Sequence, residues 1–256
     1  MPTSSDFDGL CVVLVSTRNP LNIGAAARAM SNLGFLRLRV VNPYEASFRE
    51  ARSAVGAAPL LARAEEYSSV AEAVADCSLV IGTTATENRK LHHPMRLLAD
   101  AAPVIHKRLR AAGRVALLFG SEKRGLANDD LSHCHWLIHI PTREEHLSMN
   151  LGQAVAICLY ELARTPAKTG NSARSKASPK TEKLKAATAG ELERITTMLI
   201  DALRTSGYLE QSSVAAKEEK IRRMVRRLDL SSNDAEIWLG ILRQMLWKMQ
   251  PPGKRQ

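Results

Sequence analysis

Short apolar runs that alternate with helical patterns constrain the fold of the first 164 residues more than any other feature of the sequence. Most of these runs are apolar at three or more consecutive positions, which predicts strands buried on both faces. The predicted strands are Cys11–Ser16, Leu36–Val41, Ser78–Gly82, Val115–Gly120 and Trp136–Ile140. The predicted helices are Asn22–Leu33 with a stop at Gly34, Ser69–Ala75, Pro94–Ala112 and Asn150–Ala163. This alternation predicts an α/β domain with a parallel sheet, helices on both faces, and ligand binding at the carboxyl ends of the strands.

The last third of the chain predicts a separate, smaller unit. Residues 165–182 (TPAKTGNSARSKASPKTE) carry no large apolar side chain and predict a flexible linker. Beyond them, Leu184–Arg204, Val214–Leu228 and Asp234–Met249 have helix-spaced apolar positions, and Ser232 or Asn233 is expected to cap the last helix. We therefore expect an α/β domain over 1–164, a linker over 165–182 and a small all-α extension over 183–256.

Positive charge is concentrated in this extension. The formal charge is +10, and residues 1–164 hold 18 Lys and Arg against 16 Asp and Glu, whereas residues 165–256 hold 18 against 10. Arg222, Arg223, Arg226 and Arg227 follow helical spacing along one side of the middle helix, with Ile221, Met224, Val225 and Leu228 on the other. Such a stripe either faces the phosphates of a nucleic acid or is an ordinary solvated helix face.

Several classes of protein are disfavoured. The four cysteines form no CxxC pair, so we expect buried, reduced thiols instead of disulfides or a zinc site. No window approaches the ~18 uninterrupted apolar residues of a membrane span, and the acidic start lacks the features of a secretory signal, so we expect a cytoplasmic protein. His133, His135 and His139 would spread over roughly 20 Å of a strand, too far for one metal ion.

Three loops carry unusual polar residues. In the first, Asn22 is expected to cap a helix whose next residues, Gly24 to Ala27, are small enough for a close approach, and Arg28 is either half of a salt bridge or an anion clamp. The second, Leu117–Leu126, turns sharply through two glycines and presents Glu122. The third, Ile138–Val155, joins a strand to a helix that Ser148 or Asn150 could cap.

Taken together, the three loops resemble the signature motifs of a known family. The segments N-x-G-A-A-A-R, L-x-F-G-S-E-x-x-G-L and H-L-S-M-N-L-G-Q-A-V are similar, in order and separation, to the three motifs of the SPOUT superfamily of RNA ribose 2′-O-methyltransferases. The resemblance covers Leu10 to Arg164, and the helical extension makes the layout most similar to the TrmJ-like branch. It implies methylation of nucleotide 32 in the tRNA anticodon loop, with a ribosomal RNA methyltransferase or a non-catalytic RNA-binding protein of the same fold as alternatives. No strand is followed by GxGxxG, as a dehydrogenase would require.

The resemblance also implies particular structural and chemical features. It implies a C-terminal trefoil knot, a homodimer in which the helix Asn150–Ala163 is a candidate contact surface, and S-adenosylmethionine as cofactor. The implied cofactor-binding residues are Thr83, Thr84, Ala85, Gly120, Glu122, Ile140, Ser148, Met149, Asn150 and Leu151. The implied catalytic residue is Arg28, oriented by Asn22, Ser148 and Asn150. The residues expected to bind RNA are Arg18, Arg28, Arg222, Arg223, Arg226 and Arg227.

Overall fold

The computed structural model describes residues 7–44, 51, 58–85, 93–143, 145, 148–164, 185–209 and 214–249. The strands are β1 (Leu10–Val15), β2 (Leu38–Val41), β3 (Glu65–Tyr67), β4 (Leu79–Thr83), β5 (Met95–Leu97), β6 (Val115–Phe119) and β7 (Trp136–His139). The helices are α1 (Pro20–Leu33), α2 (Ala58–Ala62), α3 (Val70–Ala73), α4 (Leu98–Arg110), α5 (Asn128–Ser132), α6 (Leu151–Ala163), α7 (Ala189–Thr205), α8 (Val214–Arg226) and α9 (Ser232–Met249). The predicted linker, 165–182, lies outside the described residues.

The strands form a parallel sheet in the order β3-β2-β1-β6-β4-β7-β5. The register places Val12 beside Leu38 on one side of β1 and beside Leu117 on the other. The predicted parallel sheet is therefore confirmed, and the edge strands β3 and β5 extend it. The trefoil knot stays a prediction.

Alternation along β1 shows how both faces of the sheet are buried. Leu10, Val12 and Leu14 belong to a core that includes residues of α1, α4 and α6. Cys11, Val13 and Val15 belong to a second core on the other face, with residues of α3 and α5. Because neighbouring residues of a strand point to opposite faces, a continuous apolar run places helices on both sides, as predicted.

Four helix starts differ from the sequence predictions, and one of them is that of α7, which begins at Ala189 instead of Leu184. Asn19, not Asn22, caps α1, because its side chain accepts the Leu21 N–H at 2.9 Å. The helix predicted from Pro94 begins only at Leu98, since Met95–Leu97 pair with β7. Ser231 caps α9 instead of Ser232 or Asn233, and its hydroxyl accepts the Asp234 N–H at 3.1 Å. The predicted stop of α1 is confirmed, because Gly34 adopts a φ of 81° there.

The C-terminal helices pack on one another and on the α/β domain. Their core contains Leu192, Ile195, Val225, Ala235 and Leu242. The first turn of α7 docks on the segment before β4, where the main-chain N–H of Ala189 donates to the Cys77 carbonyl at 2.7 Å and that of Gly190 to the Ala75 carbonyl at 2.9 Å. The four cysteines are buried free thiols, as predicted. Among the described helices, none has the length and apolarity needed to cross a membrane.

Candidate functional site

A cavity of about 370 Å³ opens at the carboxyl ends of β4, β6 and β7, where a parallel sheet is expected to bind its ligand. Its wall is formed by the segments that follow these strands and by the start of α6. The lining residues are Thr83, Thr84, Ala85, Phe119, Gly120, Ser121, Glu122, Lys123, Arg124, Gly125, Leu126, Leu131, Ile138, Ile140, Thr142, Ser148, Met149, Leu151 and Ala154.

The turn after β6 depends on two glycines. Gly125 has a φ of 64° and donates its N–H to the Ser121 carbonyl at 2.8 Å. A Cβ on Gly120 would lie 2.0 Å from the carbonyl carbon of Gly125, so only glycine fits there. The tight turn leaves the exposed side chain of Glu122 at its tip.

Hydrogen bonds join all three unusual loops at the edge of this cavity. Oε1 of Glu122 accepts the Asn22 side-chain amide at 3.1 Å and the main-chain N–H of Asn19 at 3.3 Å. Oδ1 of Asn22 accepts the Asn150 side-chain amide at 2.8 Å. Asn150 also caps α6, because its Oδ1 accepts the Gly152 N–H at 2.9 Å. Glu122, Asn22 and Asn150 thus form a continuous line that fixes the first loop between the other two.

The small residues of α1 allow it to approach α6 closely. A Cβ on Gly152 would lie 2.7 Å from the Cβ of Ala25, which leaves no space for a larger residue at Gly152. Ala26 and Ala27 are fully buried on the same helix. The close approach predicted from the Gly-Ala-Ala-Ala segment is therefore confirmed.

The structure brings nine of the ten expected cofactor-binding residues to the cavity wall. Asn150 is the exception, since it does not line the cavity. Its side chain instead hydrogen-bonds Asn22 and caps α6. Sequence reasoning named Leu126 only as the end of the second motif and missed Leu131, because the polar segment that forms α5 shows no helical apolar period. The signal it does carry is Asp130, whose carboxylate accepts the Ala127 N–H at 2.8 Å at the start of α5.

Arg28 does not line the cavity of its own chain. Its side chain is exposed and forms no hydrogen bond or ion pair with any residue that the structure describes. It lies six residues beyond Asn22, about 9 Å further along the helix axis. The salt-bridge interpretation of Arg28 therefore has no partner within the described part of the chain. Arg18 is also exposed, with its guanidinium 5.8 Å from the centre of the Tyr44 ring.

The expected stripe of four arginines on the helix predicted over Val214–Leu228 is wrong for Arg222 and Arg226. The side chain of Arg226 is only 1% exposed, and its Nη2 lies 2.8 Å from Oε2 of Glu193 in α7. Arg222 pairs with the same carboxylate, with its Nε 3.1 Å from Oε1. Met224 and Leu228, assigned to the buried side, are instead 44% and 45% exposed. Helical spacing placed the arginines on one face but could not show that an acidic residue 33 positions away covers part of it.

The other two arginines of this set differ in exposure: the side chain of Arg223 in α8 is 13% exposed, whereas Arg227 follows the last residue of α8. Arg223 lies 3.6 Å from Glu219 one turn earlier in the same helix. Arg227 is exposed. Contact of these two side chains with RNA stays a prediction.

Two buried histidines near β7 contact other parts of the fold. Nδ1 of His135 accepts the main-chain N–H of Val80 at 3.1 Å, and burial together with the charge of Arg226 lowers its pKa to about 3. His133 is buried, with Nδ1 3.5 Å from Oε2 of Glu193. The imidazoles therefore serve the packing between the sheet and the C-terminal helices.

Comparison with known proteins identifies relatives over nearly the whole chain. Residues 9–160 match the SpoU rRNA Methylase family. The tRNA (cytidine/uridine/adenosine-2′-O-)-methyltransferase TrmJ of Pseudomonas aeruginosa is 35% identical over 240 residues, which cover 92% of this chain and 93% of the relative. TrmJ of Sodalis glossinidius, named a tRNA (cytidine/uridine-2′-O-)-methyltransferase, is 34% identical over 94% of this chain and 92% of its own length. The crystal structure of TrmJ from Z. mobilis ZM4 superposes with a TM-score of 0.78 at 29% identity, over 92% of this chain and 98% of that one.

Proposed function

Because the chain belongs to the SpoU rRNA Methylase family, we propose that it transfers a methyl group from S-adenosylmethionine to a ribose 2′-hydroxyl of tRNA, at nucleotide 32 of the anticodon loop. Relatives named tRNA 2′-O-methyltransferases that match more than nine-tenths of the chain support the choice of tRNA. The single observation that carries the proposal is the line of hydrogen bonds from Glu122 through Asn22 to Asn150, which unites the three motifs beside one cavity.

The cavity fits the proposed cofactor in size and in lining. Its volume of about 370 Å³ lies within the range of small-molecule sites, roughly 300 to 1,000 Å³. Apolar residues such as Ile138, Ile140 and Leu151 line it together with the main chain of the Gly120 turn, a combination that encloses an adenine ring and recognises its polar edge. When bound, the cofactor supplies a sulfonium methyl group that is open to attack by an oxygen nucleophile.

The polar residues at the rim would orient the reaction. Glu122 and Asn150 hold Asn22 from both ends, so the start of α1 is rigid relative to the cavity. A rigid frame matters because alignment of two reactants removes much of the entropic barrier to an in-line displacement. Ser148 lines the same wall and is the residue we assign to orienting the ribose.

We assign Arg28 to the RNA, as a clamp for the phosphate next to the reacting ribose. A guanidinium has a pKa above about 12 and is a poor base, so its contribution is to stabilise the negative charge that develops on the ribose oxygen. The neighbouring phosphate, or a brief proton exchange with Arg28, takes up the hydroxyl proton.

We further propose that the enzyme is a homodimer in which Arg28 serves the cavity of the partner subunit. Arg28 is exposed and does not line the cavity of its own chain. Leu21 in α1 and Ile157 and Tyr160 in α6 are 79%, 38% and 59% exposed, which leaves apolar area on these two packed helices. Exposed apolar residues on two packed helices are candidates for a contact surface, which a second copy would cover.

Methyl transfer to RNA tests the proposed activity. Purified protein with labelled S-adenosylmethionine should methylate tRNA, and mapping of 2′-O-methylation should place the mark at nucleotide 32. Label in ribosomal RNA instead would favour that substrate, and no incorporation into either would favour a non-catalytic RNA-binding protein. Arg28→Ala should abolish transfer and leave cofactor binding intact, whereas Arg63→Ala, another exposed arginine outside the cavity wall, should retain activity. Normal turnover by Arg28→Ala would remove the proposed role.

Mixed dimers test whether Arg28 acts across the interface. Arg28→Ala and Gly120→Ala dimers should each be inactive, the first for lack of the clamp and the second for lack of a formed cavity. If Arg28 serves the partner, an equal mixture after subunit exchange should regain about a quarter of wild-type activity, because half of the dimers then contain one complete site. If the mixture stays inactive although exchange is demonstrated, Arg28 acts within its own chain.

A further inference from the structure

The C-terminal helical unit contacts the short helix that forms one wall of the cavity. Leu131 in α5 lines the cavity and is 2% exposed, as is Leu126 just before the helix. Two other residues of α5, Asp129 and Ser132, contact Arg222 of α8. Helix α5 therefore lies between the cavity and the C-terminal unit.

The contact between Arg222 and α5 is specific. Nη1 of Arg222 donates to Oγ of Ser132 at 2.9 Å and lies 3.3 Å from Oδ1 of Asp129. The Ser132 hydroxyl is fully buried and donates in turn to the Asp129 carbonyl at 2.6 Å. A buried hydroxyl that accepts from one chain segment and donates to another has lost its water partners, so removing either partner is costly.

Glu193 holds the guanidinium of Arg222 in place on its other side. Oε1 of Glu193 accepts from Nε of Arg222 at 3.1 Å, while Oε2 accepts from Nη2 of Arg226 at 2.8 Å. Arg226 is fixed further by a 2.8 Å hydrogen bond to the Ala189 carbonyl. The side chain of Arg222 is only 14% exposed. Its Nε is held by Glu193 of α7, which fixes the rotamer in which Nη1 reaches α5.

Helix α5 needs such contacts because it is too short to hold itself. It has five residues, whereas isolated helices shorter than about 12 residues are marginal in water. Its position is therefore set by tertiary contacts: Leu131 packs in the core of the sheet, and Arg222 holds the polar side. A shift of α5 would move Leu131 and the end of the Gly120 turn together.

We propose that Arg222 is a positioning residue for the cofactor cavity, through which the C-terminal unit sets the shape of the wall formed by residues 120–131. The proposal rests on the proposed function, since it takes the cavity to hold S-adenosylmethionine. Arg222 would then affect binding of the cofactor, whereas its place in the sequence predicted contact with the RNA backbone.

Cofactor affinity without RNA tests the proposal. Calorimetry with S-adenosylhomocysteine and the full chain should show a Kd for Arg222→Ala that is about three- to tenfold above wild type. Arg223→Ala is the matched control, because Arg223 is the next residue of the same helix and pairs only within that helix among the described contacts. Ser132→Ala removes the nearer of the two acceptors of Arg222 on α5 and leaves α8 intact, so it should weaken binding in the same direction even if Arg222→Ala fails to fold.

Comparing the KM for the cofactor with the KM for tRNA distinguishes a positioning role from a merely structural one. Arg222→Ala should raise the KM for the cofactor and leave the KM for tRNA unchanged. An unchanged Kd for S-adenosylhomocysteine in folded Arg222→Ala or Ser132→Ala protein would overturn the proposal, as would an equal loss in Arg223→Ala. A rise confined to the KM for tRNA would make Arg222 an RNA contact instead. Absence of binding by the wild-type chain would count against the proposed function, a result separate from all of these.

Discussion

Replacing Glu193 by glutamine should show how strongly the C-terminal unit is fastened to the α/β domain. Burial alone would raise the pKa of Glu193, but His133, Arg222 and Arg226 lower it from 4.5 to about 2. This difference corresponds to about 3 kcal/mol of stability at neutral pH, and the side chain is only 23% exposed, so solvent screens it little. The substitution also leaves Arg226, with a side chain 1% exposed, as a buried charge without its partner, a loss of about 3 to 5 kcal/mol. These two estimates describe the same ion pairs and agree on a destabilisation of at least about 3 kcal/mol for Glu193→Gln.

Urea unfolding at several pH values measures this loss. The pKa of Glu193 is lower in the folded state than in the unfolded chain, so its contribution is present above pH 4.5 and disappears as the pH falls towards 2. Wild type and Glu193→Gln should therefore differ most at pH 7 and converge below pH 4.5. Glu219→Gln, which among the described contacts breaks the 3.6 Å pair with Arg223 alone, should cost less than about 0.5 kcal/mol. A loss below about 1 kcal/mol at pH 7, or a difference that stays constant from pH 7 to 3, would refute the reasoning.

Three further predictions follow from single sites. Gly120→Ala should destabilise the protein by more than about 2 kcal/mol and abolish cofactor binding, because the new Cβ would meet the carbonyl carbon of Gly125 at 2.0 Å; thermal unfolding and calorimetry measure both. Asn22→Asp should lower kcat at least about tenfold, because it replaces the amide donor to Glu122 with a second carboxylate; kinetics at saturating substrates would show it, and Asn22→Ala serves for comparison. Burial lowers the pKa of His135 to about 3, so the unfolded chain binds a proton below pH 6.5 that the folded one excludes; stability should fall from pH 6.5 towards 3, and less so in His135→Gln.

The sequence predicted the central part of the fold because that part depends on local patterns. The five apolar runs of the sequence correspond to β1, β2, β4, β6 and β7, whose residues are almost all buried. The edge strands β3 and β5 have three residues each and are half-buried or exposed, so they lack the apolar run from which a strand could be predicted. Helix α5 was missed for the same reason, since its polar sequence is held by contacts with other segments.

At the candidate site, the sequence predicted which residues take part but not which residues they contact. The residues of the three motifs were named in advance, and nine of the ten expected cofactor-binding residues lie on one cavity wall. The partners of the polar side chains were not foreseen. Asn22 was expected to cap α1 but instead links Glu122, 100 residues later, with Asn150, 128 residues later.

By itself, the sequence determined the alternation of strands and helices, the two-sided burial of the sheet and the glycine turn after β6, because hydrophobic spacing and backbone freedom act over a few residues. Only the tertiary structure decided what each charged side chain does. It buried Arg226 against Glu193 and left Arg28 exposed on α1, although both occur in patterns that favour contact with phosphate. The reason is that an ion pair or a shared cavity depends on segments that meet only after the chain has folded, such as Arg222 and Asp129, which are 93 residues apart.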